Sequence, residues 1–235
     1  LELLSFLRQL DERVAPVLEH DVVERRLDPL GGLELLRVHG EHPVAHRGER
    51  VRREVMRRQM TNDEIEKAFA AANAAGLHTS AFVMMGLPTE TEREMEETVK
   101  LLARIRAGRF RWAIFFPFVN TDAYDMSVEK GHIDFDKMNA MSNFTDESCM
   151  DFGAKQNLKI RKLRAAYPWY VNARSEEQVV GRLYSRLVTV LDGLDESAFA
   201  DFRGHIARID ELLHQVLSRA GRPHYSMRYN DFTGV

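Results

Sequence analysis

The chain has 235 residues, 44% of them apolar and 29% charged, and a formal net charge of -3. That length suits one sizeable core, or one domain with a helical appendage. Its near balance of charge supplies no global field for nucleic acid or an anionic membrane, and no run nears the roughly 18 uninterrupted apolar residues of a membrane-spanning helix.

The opening Leu1-Glu2-Leu3-Leu4 lacks the basic-then-apolar pattern of a secretion signal, so a cytoplasmic location is expected. The first residue is not methionine, so further sequence is expected upstream. Gly32 to Val38 (GLELLRV) is a short apolar run after a Gly-Gly turn and reads as a buried strand. Residues 47–58 (RGERVRREVMRR) are strongly helix-forming. Thr61-Asn62-Asp63-Glu64 then reads as a capping box that opens a helix running to Gly76. Residues 79–85 (TSAFVMM) form a strand ended by Gly86-Leu87-Pro88. Met95, Val99, Leu102 and Ile105 mark one face of the next helix, and residues 112–118 (WAIFFPF) make a strand covered on both sides.

Strands alternating with helices build a parallel sheet through right-handed crossovers, and the expected fold is α/β, a partial (β/α) barrel over residues 1–133. Ligands sit at the carboxyl ends of such strands, so segments 39–46, 86–90 and 117–122 should share one rim. A helix is expected at 122–130. Residues 134–151, polar and methionine-rich, are expected to form a long ordered loop connecting to a helical C-terminal extension over 152–235. Within the extension, Val179, Leu183, Leu187 and Val190 mark one amphipathic face, and Ile206, Ile209, Leu213 and Val216 another. The tail from Gly221 has no periodicity and is expected to be mobile.

Each candidate for chemistry has an ordinary structural reading beside it. In Gly86-Leu87-Pro88-Thr89-Glu90-Thr91 the glycine permits close backbone approach, and the amides at a helix start attract polar or anionic groups. The same residues also suit capping by Thr89 or Thr91, with Glu90 and Glu92 complementing the helix dipole. Phe116-Pro117-Phe118 could flank a flat ligand or simply fill core, with Asn120 or Thr121 capping the following helix. Arg47, Arg50, Arg52, Arg53, Arg57 and Arg58 could grip phosphate or carboxylate, or form a solvated face paired with Glu49 and Glu54. His39, Glu41, His42 and His46 carry zinc- or iron-binding chemistry on a loop, without a demonstrated geometry. Cys149, the single cysteine, excludes an intrachain disulfide and any CxxC or CxxxCxxC site. Only Glu147 and Asp151 flank it with charge, which disfavours a thiolate, so it reads as an inert thiol.

Several of these segments form one pattern. GERVRREV, RQMTNDEI, AGLHT and GLPTET, followed by FFPFVNTDAYDMSVEKGHI, NFTDESCMDF and RAAYPWYV, resemble the second half of the radical S-adenosylmethionine (SAM) core. The similarity is greatest to the group whose members often carry an N-terminal cobalamin-binding domain; it covers 47–170 well and 1–38 loosely. The resemblance implies the C-terminal half of a TIM-like barrel that binds SAM against a 4Fe-4S cluster and generates a 5'-deoxyadenosyl radical, with cobalamin bound by an upstream domain. Met85, Gly86, Leu87 and Pro88 would border the adenosyl group, as would Phe116 and Pro117 from the next strand. Where the family writes G-(V/I)-E-S-G-S-E-R, this chain has VHGEHPVAHRGER, which leaves Glu41 as the nearest carboxylate. The cluster cysteines would lie upstream of residue 1, so the isolated chain is expected to be inactive. An alternative is a non-catalytic remnant or protein-interaction module of the same descent. The substrate is a small molecule left unassigned, neither nucleic acid nor membrane is an expected partner, and the open sheet edge should favour self-association.

Overall fold

The computed structural model describes residues 41–42, 49–142 and 147–227. The chain order is β1 (Glu41–His42), α1 (Glu49–Glu54), α2 (Asn62–Ala74), β2 (Ser80–Met85), α3 (Glu92–Ile105), β3 (Arg109–Ile114), α4 (Asp122–Glu129) and α5 (Phe135–Ala140). Four helices follow: α6 (Ala154–Asn172), α7 (Gln178–Gly193), α8 (Glu196–Arg203) and α9 (Ile206–Arg219). The three strands form an open parallel sheet in the order β1-β2-β3, two full strands with the two-residue β1 at one edge. The fold is therefore mixed α/β and mostly helical, and no closed barrel is formed by the described residues.

Local sequence explains most of these elements. Thr61 and Thr91 each close a full capping box, with Glu64 and Glu94 respectively, at the starts of α2 and α3. In β2 burial alternates with period two: Ala81, Val83 and Met85 are buried, and the residues between them are half-exposed. The buried side joins Phe110 and Ile114 of β3 in one core with Ile65 and Phe69 of α2, Leu101 and Leu102 of α3, and Leu163, Tyr167 and Trp169 of α6.

Pro168 lies inside α6, where it cannot donate to the carbonyl four residues back. That carbonyl, of Arg164, accepts instead from the indole N–H of Trp112 at 2.9 Å, and Ala166 beside it takes a non-helical φ of -142°. The kink thus becomes the point where the extension is fastened to β3. Further along, the buried Lys162 donates to the carbonyls of Asp192 and Leu194, satisfying the C-terminal end of α7.

The structure departs from the sequence reading in five places. The third strand is Arg109–Ile114 rather than 112–118, because Pro117 brings no N–H and the Phe115 amide makes the last bond to β2, at Met85 O, 2.8 Å. The helix expected over 47–58 is limited to Glu49–Glu54 among the described residues. Segment 134–151 is not simply a loop: Asp134 caps the short helix α5, and Ile133 bridges Met150. The buried face of α7 keeps Leu183 and Leu187 of the expected stripe but is completed by Val180, Tyr184, Val188 and Leu191, while Val190 is exposed, because α6 meets the helix partly round from that stripe. Finally, residues 221–227 are docked. Asn172 holds both backbone groups of Tyr225, and the Tyr225 hydroxyl donates to Ala107 O at 2.7 Å. The strand expected at Gly32–Val38 lies outside the described residues, as do 228–235. No helix among the described residues is long and apolar enough to cross a membrane.

Candidate functional site

Parallel pairing places the carboxyl ends of β2 and β3 together, since Met85 pairs with Ile114, whereas the two described residues of β1 pair with Ser80 and Ala81 at the amino end of β2, away from the rim expected for segment 39–46. The turn leaving β2 is built around its own acid. Gly86 sits at φ 75°, and the amides of Gly86 and Leu87 donate to Glu90 Oε2 at 2.7 and 3.1 Å. Glu90 is 2% exposed, and its amide closes the turn on Leu87 O. Thr89, a β-branched residue, is held at φ 65°, a conformation that persists only where surroundings enforce it.

Arg50 of α1 supplies that enforcement. Its guanidinium grips both Glu94 oxygens at 2.9 and 3.0 Å and donates to Thr89 O at 2.9 Å and Thr89 Oγ1 at 3.2 Å. Burial pushes the Glu94 carboxyl up, but Arg50 and the Thr91 amide outweigh it and hold it below the usual carboxylate range. Arg52 is fully buried and donates to Met60 O and, at 2.7 Å, to Asn62 Oδ1. Of the six arginines, Arg52 is therefore an internal strut and Arg50 a half-exposed clamp on the turn. Nothing in the i,i+4 pattern announces this; the signal is that Val51 of the same helix and Val55 just beyond it are themselves core.

Met85, Leu87 and Pro88 are buried. A Cβ on Gly86 would meet Ile160 Cδ1 at 3.4 Å and Phe152 at 3.8 Å, so the extension lies directly over this glycine. A second cluster caps the strand ends: Val51, Val55, Leu87, Phe115, Cys149 and Met150, with Met56, Met84, Met126, Met138 and Met141 around them. Pro117 is buried, Phe116 half-buried and Phe118 52% exposed, the two phenyl rings meeting edge-on at 5.1 Å. Thr121, not Asn120, caps α4, accepting from the Tyr124 amide. Of the histidine loop, only the backbone of Glu41 and His42 falls in the described residues.

The face of the sheet opposite the helices is the part that sequence reading missed. Phe82 and Met84 of β2 and Arg111 of β3 are half-exposed and Ala113 is exposed. The Arg111 guanidinium lies over the Phe82 ring at 5.7 Å, and Arg109 Nε donates to Ser80 Oγ at 2.7 Å. The alternation of TSAFVMM assigns Phe82 and Met84 to this face. A flat or cationic ligand could rest against Phe82, Met84, Ala113 and Phe116 here, whereas the side chain of Met85 joins the helix-covered core.

The residues present do not fit an iron-sulfur cluster. Such a cluster needs several thiolates, and the one cysteine is fully buried among apolar side chains, with burial pushing its thiol up. No group of His, Cys, Asp or Glu among the described residues could hold a metal ion. Residues 8–102 match the model of the radical SAM superfamily, so the chain carries a domain of that superfamily. That family implies SAM and a 4Fe-4S cluster. No curated protein matches the chain.

Proposed function

We propose, from a chain that carries a radical SAM superfamily domain at residues 8–102, that it forms the SAM-facing half of a partial (β/α) barrel and generates no radical by itself. The supporting observation is the convergence, at the carboxyl ends of β2 and β3, of the Gly86 turn and the Phe116–Phe118 segment, beside the half-exposed face of Phe82, Met84 and Arg111. In this reading Phe82, Met84 and Phe116 flank the adenosyl group and Gly86 to Pro88 shape its border from behind. Glu41, the acid that the motif resemblance offers for the amino-acid or ribose end, pairs through its backbone with Ser80 at the amino end of β2. Glu90 and Arg50 hold the turn. The cluster's thiolates are not among these 235 residues, so no step of radical chemistry is assigned to this chain. Placement in the cobalamin-binding group rests on the motif resemblance alone, and a cytoplasmic location belongs to the same reading.

The second reading, a non-catalytic interaction module of the same descent, is favoured by one specific observation. The two amides best placed for a ligand, those of Gly86 and Leu87, are already taken by Glu90. Calorimetric titration with SAM separates the two. Saturable binding, weakened by Phe82→Ala and Met84→Ala, supports the SAM-facing half. Absence of binding, or binding indifferent to both substitutions, sinks it in favour of the module.

A further inference from the structure

Two adjoining cavities open on the helix-packed side of β3, away from the Phe82 face. One, of about 310 Å³, is bounded by Ile114, Phe152, Met150 and Ile160; the other, of about 270 Å³, by Trp112, Ile206 and Met227. They share Arg164, Ala165 and Arg203, so they form one groove with two arginines at its waist and apolar walls on both sides.

The charges around the groove are unequal. Lys137, Arg161, Arg164 and Arg203 line the larger cavity against only Glu147 and Glu196. Both acids are engaged, Glu147 with Lys137 at 3.5 Å and Glu196 with Arg161. Arg203, in the last turn of α8, makes no hydrogen bond or ion pair among the described residues. A guanidinium offers a planar fork that matches carboxylate and phosphate oxygens in pairs. The walls would meanwhile take an apolar body, and the larger cavity is at the lower end of the usual size for a small-molecule site.

We propose that this groove binds a small organic anion: a carboxylate or phosphate head held by Arg203 and Arg164, with a flat apolar body against Trp112 or Phe152. The site is separate from the proposed SAM face, so either can fail without the other.

The test is a fluorescence titration of the chain with 1-anilinonaphthalene-8-sulfonate, an aromatic anion. Saturable binding is expected, with Arg203→Gln weakening it about tenfold, the loss of roughly one charge-assisted hydrogen bond. Arg182→Gln, on the exposed face of α7, should bind like the unaltered chain. Arg203 is exposed, so its substitution should leave the thermal midpoint unchanged. Competition by phenyl phosphate but not benzoate identifies a phosphate head, and the reverse a carboxylate. Equal affinity in Arg203→Gln and the unaltered chain, equal weakening by Arg182→Gln, or displacement by neither competitor would each overturn the site.

Discussion

His224 and His214 show how a single contact can carry a solution property. Arg222 O can only accept, so His224 Nδ1 carries a hydrogen and donates to it at 2.7 Å. His224 Nε2 then accepts from His214 Nδ1–H at 3.0 Å, which pins segment 221–227 to α9. Burial lowers the affinity of His224 for a second proton, and His214 opposes that proton too, while Arg222 O and Asp210 favour it. The folded-state value therefore lies below the usual 6.5, and the unfolded chain takes up protons first as pH falls. Stability from this group is present above that usual value and is lost as pH drops through it. Asp210, which accepts from Trp169 Nε1 and the Met227 amide at 2.8 Å each, has its carboxyl pushed up by burial. Its contribution has the opposite sense: present at low pH and lost as pH rises through the raised carboxyl value. The histidine therefore lowers the thermal midpoint as pH falls through the usual histidine value, and His224→Gln should remove that part of the pH dependence. An unchanged slope in His224→Gln would remove the histidine pair as its cause.

Among the elements, β3 and α6 depend on each other through Pro168. The proline leaves Arg164 O without its helical donor, and Trp112 supplies one. Trp112→Phe should cost about 1 kcal/mol in urea unfolding, because the part-buried Arg164 carbonyl loses its donor. In a Pro168→Ala background residue 168 regains an N–H aimed at the same carbonyl, so the Trp112→Phe cost should shrink. Additive costs in the double-mutant cycle would show that the indole bond does not fasten the extension. A proline within a helical segment and a tryptophan in a strand were both visible in the sequence. Their pairing was not, since it depends on which turn of α6 crosses which residue of β3. The same limit explains the misplaced strand: residues 112–118 have the right composition, but the ladder ends at the amide of Phe115.

At the scale of the whole molecule, the open three-stranded sheet has no further strand at either edge among the described residues, and a half-exposed face. Phe118 and Val119, 52% and 56% exposed, extend apolar surface beyond the strand ends. We expect concentration-dependent self-association by light scattering, reduced by Phe118→Ser. A monomer at every concentration would count against an edge available to a second copy.

The helix starts at Thr61 and Thr91, the strand SAFVMM, the Gly86 turn and the family pattern through it could all be read directly, because capping, alternation and turn chemistry act between residues a few positions apart. Tertiary structure decided what long-range packing controls: that Arg52 is an internal strut and Arg50 clamps the Thr89 turn, that Glu90 occupies the turn amides, and that Ile160 covers Gly86. Each depends on partners brought together from distant segments, and a residue's own neighbours in the chain do not encode them.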